Sequence, residues 1–498
     1  VTANTILTVD LGGSSLKAGL FADDGELLAT ASVPLGFDEP GDGSSEADPE
    51  IWWRALIAAF AELAGATGDA FDRIAGIALC GFTRTQVMLD ADDRVVRPAI
   101  GFRDARSAAE VAAALARPGV ADHPQARHLN VYHPLARLLR VAALQPELWA
   151  RIDAILEPKD FLTLRLTGER ASDPVSQHWL IGATRGGAGS LATLAGLSVP
   201  ALPRLLPPHG TVGRVAASHV DPTLRRLVGS PVFCGGNDSW TAVAGLGALT
   251  PGRAYGISGS SEVFGLLARR DADAEGLLTL PWGDGLWQIG GPGLNGANAL
   301  AWIVDTLDRS GRPFEVRLAD LLAGPVCDAP LLFLPHLLGE RTPHWDADLR
   351  GAFLGLTDRH GPADLVGAVM AGVAHLNRDV LERAEAAAGE TALEVRIGGG
   401  GAASPVWNRI RADVLGREIV AMPNRQMGLT GCFAVAKVGL GEAPNLAAAI
   451  DGTGLAFERF RPDPTGSARA DRSHAIFRDA HRATTEISHR LARTAEPR

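Results

Sequence analysis

The sequence predicts an α/β protein built from two domains, and three observations carry that prediction. The opening stretch reads as three meandering strands, a helix and a further strand, the mixture that α/β layers require. The second half contains similar parts, and each half has a strand that feeds a Gly/Ser turn. The chain is 498 residues long, which is enough for two cores or more.

The elements follow in order. Thr5-Ile6-Leu7-Thr8-Val9-Asp10 reads as a strand that ends in Gly12-Gly13-Ser14-Ser15. Leu16 to Phe21 is a second strand, Asp23-Asp24-Gly25 a turn, and Leu27 to Val33 a third strand. Asp48-Pro49 supplies an N-cap and a proline at the first helical position. Trp53, Leu56, Ile57, Phe60 and Leu63 then recur at helical spacing. Ile74 to Cys80 is a buried strand. Gly182 to Gly213 reads as a loop-rich insertion. The Gly-rich segment Gly245 to Gly252 is the expected boundary, giving domains 1–247 and 248–498. Beyond it, strands are expected at Ala254 to Ile257, from Val263, and at Leu393 to Ile397. Helices are expected at Ala363 to Ala387, from Ser404-Pro405 to Leu415, and over Ser467 to Leu491.

Bulk composition excludes several classes. The net charge of −10 argues against nucleic acid as a partner, because such proteins usually carry a basic face. No apolar run reaches the length of a membrane span. Asp10 and Lys17 interrupt the early apolar residues, so no signal peptide is expected. Cys80, Cys234, Cys327 and Cys432 are scattered, with no CxxC, and read as reduced buried thiols of a cytoplasmic protein. His133, His336 and His344 show no spacing that predicts a metal ligand set. Of 47 basic residues only Lys17, Lys159 and Lys437 are lysines, and Lys17 adjoins the first Gly/Ser turn.

Four segments could carry chemistry, and each also has a plain structural reading. In the first, from Asp10 to Lys17, small residues let the backbone turn N–H groups toward phosphate oxygens. Ser14 adds a hydroxyl, Lys17 a positive charge, and Asp10 could hold a hydrated Mg²⁺; a Gly-rich hairpin turn would look the same. The second is Cys234-Gly235-Gly236-Asn237-Asp238-Ser239. Asp238 could accept the proton of an attacking hydroxyl or cap the helix that follows. The third, Ser258-Gly259-Ser260-Ser261, could bind the end of a triphosphate. The fourth, Gly399-Gly400-Gly401 through Ser404, could let an adenosine lie against the backbone. The last two could equally be loops that need positive φ.

Taken in this order, the four segments resemble the FGGY family of carbohydrate kinases, of the actin/hexokinase/Hsp70 superfamily. Further stretches resemble it over nearly the whole chain, among them Glu157-Pro158-Lys159-Asp160 and Gly339-Glu340-Arg341-Thr342-Pro343. The latter looks more like xylulose kinases than glycerol kinases. The resemblance implies two RNase-H-like (actin/hexokinase-type ATPase) domains flanking a catalytic cleft. It implies ATP and Mg²⁺ as cofactors and a small sugar or polyol as substrate. It implies Asp238 as the base. Gly12, Gly13, Ser14, Lys17, Gly259, Ser260, Gly400, Gly401 and Ser404 would bind ATP. A homodimer is a family expectation. Lys159-Asp160 is expected to bridge elements of the N-terminal domain.

The match weakens in the sugar pocket. Thr83-Arg84-Thr85 stands where xylulose kinases usually carry Met-His-Gly, Phe102-Arg103-Asp104 where many relatives have Trp, then Asn or Gln, then Asp, and Ser239 where Asn or Gln is common. Thr83, Arg84, Phe102, Arg103, Asp238 and Ser239 are the expected substrate contacts. Arg84 and Arg103 could fork onto hydroxyls or a sugar carboxylate, or pair with carboxylates such as Asp104. The leading expectation is a ketopentose kinase. A tetritol, other polyol or sugar acid as acceptor is the alternative, and a nucleotide-dependent chaperone or a silent sugar sensor is the reading from another class.

Overall fold

The computed structural model describes residues 4–219, 221–422, 426–455 and 457–494. The chain divides into two units, Val1–Gly245 with Gly428–Gly454, and Leu246–Met427 with Leu455–Arg498.

In the first unit, β1 (Thr5–Leu11), β2 (Ser15–Ala22) and β3 (Leu27–Pro34) form an antiparallel meander. Helix α1 (Pro49–Thr67) follows, its first turn closed by the Asp48 carboxylate, which accepts from Glu50 N at 3.0 Å. Trp52, Leu56, Phe60 and Leu63 recur at helical spacing and are buried in the core that covers the sheet. The chain then enters β4 (Ile74–Gly81), which runs parallel to β1. A helical insertion with its own apolar core follows, including α2 (Pro134–Leu144) and leading to α3 (Pro158–Thr167). Strands β5 (Thr211–Arg214) and β6 (Pro231–Phe233) complete a sheet of order β5-β6-β4-β1-β2-β3. The stretch expected as loop-rich from Gly182 to Gly213 thus ends inside a sheet strand. Val212 is buried there, and Gly213 pairs with Val232. Helix α4 (Asp238–Gly245) closes the segment.

Because β1 is central, it is buried on both faces, which accounts for Ile6, Leu7 and Val9 beside the buried threonines. Strands β1, β4 and β6 are parallel. Their carboxyl ends therefore lie on one edge, the usual place for ligands in such sheets.

The second unit repeats the theme. Strands β7 (Arg253–Ser258) and β8 (Glu262–Ala268) form a hairpin, followed by β9 (Leu278–Pro281) and β10 (Trp287–Pro292). The 27-residue helix α5 (Pro362–Ala388) leads to β11 (Glu394–Gly398), which lies parallel to β7. Helix α6 (Pro405–Leu415) and β12 (Glu418–Ala421) come next. After α7 (Met427–Gly439) come β13 (Glu458–Phe460) and α8 (Pro464–Thr494). The sheet order is β9-β10-β8-β7-β11-β12-β13. A hairpin whose first strand pairs in parallel with the strand after a helix is the RNase-H-like arrangement, and it occurs in both units.

One cut at 247/248 does not describe the division, because Gly428–Gly454 belongs to the first unit. The small face of α7 explains the return. A Cβ on Gly428 would stand 2.4 Å from Asp10 Oδ2, and one on Gly431 1.9 Å from the Thr241 carbonyl. Among the described residues, no helix is long and apolar enough to cross a membrane. Cys80, Cys234 and Cys432 are buried free thiols, and Cys327 is half-buried.

Candidate active site

At the end of β1, Asp10 stands opposite Lys17 in the hairpin register. The turn between them closes with Gly12 N donating to Ser15 O at 2.9 Å. Gly12 and Gly13 are half-exposed and Ser14 exposed. The hairpin reading and the open small-residue loop therefore coexist. Burial pushes the Asp10 carboxyl up to about 6, and the nearby Asp238 carboxylate adds to the rise, while Lys17 and the Cys80 thiol, 3.6 Å away, counter it. Two mutually repelling carboxylates are oxygen donors suited to a hard divalent cation such as Mg²⁺.

The turn after β6 separates the two readings of Asp238. The helix is capped by its neighbour, since Asn237 Oδ1 accepts from Trp240 N at 2.8 Å. Asp238 Oδ1 accepts from Ser239 N at 2.7 Å and from the Ser239 hydroxyl at 3.3 Å. The carboxyl is half-buried and raised by desolvation, against the pull of the Ser239 bonds and of Arg84. Gly235 makes this turn possible: its φ is +69° and a Cβ would lie 1.6 Å from Leu79 O. Buried Lys159 fixes the turn's start, donating to Cys234 O at 3.1 Å while it pairs with Asp160 at 2.5 Å and Asp173 at 2.9 Å. This is the bridging role expected of Lys159-Asp160.

The end of β4 presents Thr83, half-buried, and Arg84, exposed and held at φ +57°. Such a backbone in a long side chain needs support, and two buried groups supply it. Arg137 of α2 donates to Arg84 O at 3.0 Å and to Phe102 O at 2.8 Å. Glu157 Oε2 accepts from Thr85 N at 3.2 Å. Desolvation pushes the Glu157 carboxyl up to about 8 and the Arg137 guanidinium down to about 10. The Phe102 ring faces Gly13, whose Cβ would sit 3.8 Å from it. Arg103 is 62% exposed, lies over the Phe102 ring and pairs with Glu39 at 3.4 Å. Asp104 pairs with Arg106.

In the second unit, the turn from Ser258 to Ser261 closes with Gly259 N donating to Ser261 O at 3.0 Å, and Ser260 is exposed. The loop after β11 leaves Gly400 exposed and Gly401 buried. Ser404 caps α6, accepting from Trp407 N at 3.3 Å. The glycine at 401 answers a close strand neighbour, since a Cβ there would lie 2.1 Å from Ser258 Oγ. Buried Arg411 ties the two loops together, donating to Gly401 O at 3.0 Å, Ser258 Oγ at 2.8 Å and Glu262 Oε1 at 3.1 Å.

Asp10, Gly13, Arg84, Phe102, Asp238 and Ser239 are thus gathered in one unit, and Gly259, Ser260, Gly400, Gly401 and Ser404 in the other. Sequence reading missed the supporting roles of Arg137, Glu157 and Arg411. Glu157 lay in a flagged stretch; the two arginines gave no local signal. His133 is in the first unit, but His336 and His344 meet His481 of α8, a residue too distant in sequence for spacing to reveal.

Comparison with known proteins accords with this geometry. Residues 5–245 match the family model "FGGY family of carbohydrate kinases, N-terminal domain", and residues 254–440 match the C-terminal domain of the same family. The chain is 31% identical over 430 residues to a xylulose kinase of Escherichia coli (strain K12), covering 82% of this chain and 85% of that one. It is 28% identical over 506 residues to a xylulose kinase of Lactococcus lactis, covering 98% of each. The crystal structure of xylulose kinase from Rhodospirillum rubrum superposes with a TM-score of 0.81 at 26% identity, over 98% of this chain and all of that one.

Proposed function

Because this chain belongs to the FGGY family of carbohydrate kinases, and is therefore a sugar kinase using ATP, we propose that it phosphorylates a ketopentose, xylulose, with Asp238 as general base. The observation that carries the base assignment is the division of labour at the turn after β6. Asn237 caps α4, and Ser239 holds only Oδ1 of Asp238. Oδ2 is left to take a proton.

The chemistry follows from that placement. A substrate hydroxyl gives its proton to Asp238 as its oxygen attacks the γ-phosphorus of ATP. The bond from that phosphorus to the bridging oxygen breaks, and ADP leaves. Thr83, Arg84 and Phe102 contact the sugar from the ends of neighbouring elements, with Ser239 fixing the carboxylate. Arg103, exposed and engaged with Glu39, contributes at the rim. Gly12, Gly13, Ser14 and Lys17 supply donors and charge for the phosphoryl group. Gly259, Ser260, Gly400, Gly401 and Ser404 hold the nucleotide. Asp10 would hold Mg²⁺ through water, and the ion would neutralise charge on the phosphate oxygens. Backbone donors and Lys17 stabilise the transferring group in place of water.

Xylulose as acceptor is supported by the relatives' names and by the Glu340-Arg341-Thr342-Pro343 stretch. A second reading rests on Arg84, an exposed guanidinium near enough to Asp238 to lower its pKa. That placement suits a sugar acid, whose carboxylate an arginine would fork. ADP release with Mg-ATP across ketoses, polyols and sugar acids separates the two. Xylulose is expected to respond most strongly, and a sugar acid in first place would replace it. Asp238→Asn is expected to lower turnover by about 10²–10⁴-fold while the protein stays folded. Retained turnover would remove Asp238 from the base role.

A further inference from the structure

We propose that His336, His344 and His481 form a binding site for a divalent transition metal, of which Zn²⁺ is the best chemical match, clipping the C-terminal helix α8 to the loop after Pro335. The ligand atoms of the three side chains all lie within 4.8 Å of one another. Three imidazoles are a ligand set that suits zinc, with a fourth position left for water.

The rings lack the partners that buried histidines normally find. His336 is 1% exposed, and neither of its ring nitrogens meets a hydrogen-bond partner among the described residues. Nδ1 of His481 is also buried without one. Every neutral imidazole carries one N–H donor and one acceptor, and burying either unsatisfied is costly. The rings instead face each other, with His344 and His481 stacked at 3.8 Å and His336 edge-on to both at 5.5 and 5.3 Å.

Acidic groups surround the cluster to offset the ion's charge. Glu340 Oε2 stands 4.0 Å from His336 Nδ1. Asp346 and Asp379 also act on the cluster, and Arg383 and Arg482 oppose them.

Zn–N bonds of about 2.0–2.1 Å in a tetrahedral arrangement bring ligand nitrogens to about 3.4 Å apart. Closing from 4.8 Å requires ring rotation, which the half-buried His344 and His481 can supply. The chain enclosed between His344 and His481 is long, so the clip removes much freedom from the unfolded state.

The test uses the full chain without a histidine tag, first stripped by chelator. Co²⁺ is titrated in as a spectroscopic probe, followed by Zn²⁺. The expected result is about one Co²⁺ per chain with the visible absorption of four-coordinate cobalt, displaced by Zn²⁺, and a higher Tm with Zn²⁺. His344→Ala and His481→Ala, each at a half-buried position, should fold, retain sugar-kinase turnover and weaken binding by at least about 10-fold. No visible band at saturating Co²⁺, or binding unchanged in the His344→Ala/His481→Ala double variant, would overturn the site.

Discussion

Arg137 Nη1 donates to the carbonyl oxygen of Arg84 at 3.0 Å, and Nη2 of the same guanidinium donates to the Phe102 carbonyl at 2.8 Å. One buried arginine thus sets the positions of two segments proposed to contact the sugar. A guanidinium fork can serve both carbonyls; an ammonium is a point charge and cannot keep both geometries. Arg137→Lys is therefore expected to raise KM for the acceptor by about 10-fold, corresponding to about 1.4 kcal/mol of binding, with little change in KM for ATP. Steady-state kinetics with each substrate varied in turn checks this. A parallel rise in both constants would mean that Arg137 supports the fold at large.

The acid limb of the pH profile should report the carboxylates at the ends of β1 and β6. Asp10 lies at about 6, raised by burial and by Asp238, and Asp238 is itself raised by desolvation. Both are required as anions in the proposed chemistry. kcat/KM should fall as the pH drops below about 6, well above the ordinary carboxylate range. In Asp10→Asn the group that lies at about 6 is gone, so the limb of any residual activity should change position. A profile flat down to pH 5 would mean that neither group titrates where burial and repulsion place it.

Glu157 makes stability depend on pH in the opposite sense to a salt-bridged acid. Burial raises its folded pKa from the ordinary 4.5 to about 8, against the Thr85 N–H bond and with Asp160 adding to the rise. The folded chain therefore keeps a proton that the unfolded chain has lost. Its contribution to stability is fully present below about 4.5 and is lost as pH rises through 8. Glu157→Gln keeps an acceptor for Thr85 and removes the titration. Urea unfolding at pH 6 and pH 9 should show the wild type losing more stability than Glu157→Gln over that interval. Equal losses would mean that Glu157 is ionised in the fold throughout.

The parts of the fold and site that were legible in the sequence are those fixed by neighbours in the chain. The β1–β2 hairpin with Asp10 at its head needed only alternation and a Gly/Ser turn. Asp48-Pro49 announced α1 because a cap and a first-turn proline act within one helical turn. The turn holding Asp238 was visible, but Asn237 proved to be the cap, and both residues are capping types, so sequence could not choose. Arg137 and Arg411 escaped notice because an arginine in an amphipathic helix reads as surface charge. Both are buried; Arg137 binds the carbonyl of Arg84 and Arg411 the hydroxyl of Ser258, residues far away in the chain. The return of Gly428–Gly454 to the first unit had one faint signal, Gly428 and Gly431 at a spacing of three, which prepares a helix face for close approach.

The contact between Gly401 and Ser258 gives a test confined to the second unit. An added Cβ at 401 would stand 2.1 Å from Ser258 Oγ and 3.1 Å from its Cβ. The hydroxyl is not free to turn away, because it donates to Glu262 at 2.7 Å and accepts from Arg411 at 2.8 Å. Gly401→Ala must therefore displace one loop from the other, at a cost of about 1–3 kcal/mol. KM for ATP should rise and KM for the acceptor should stay. Ser258→Ala removes the clashing oxygen and leaves Arg411 its bond to Glu262 at 3.1 Å. In the double variant the two losses should fall short of their sum by about 0.5 kcal/mol or more. Denaturation of the four proteins of this cycle measures the difference. Strict additivity would show that the displaced loop, and not the Ser258 hydroxyl, is what requires glycine at 401.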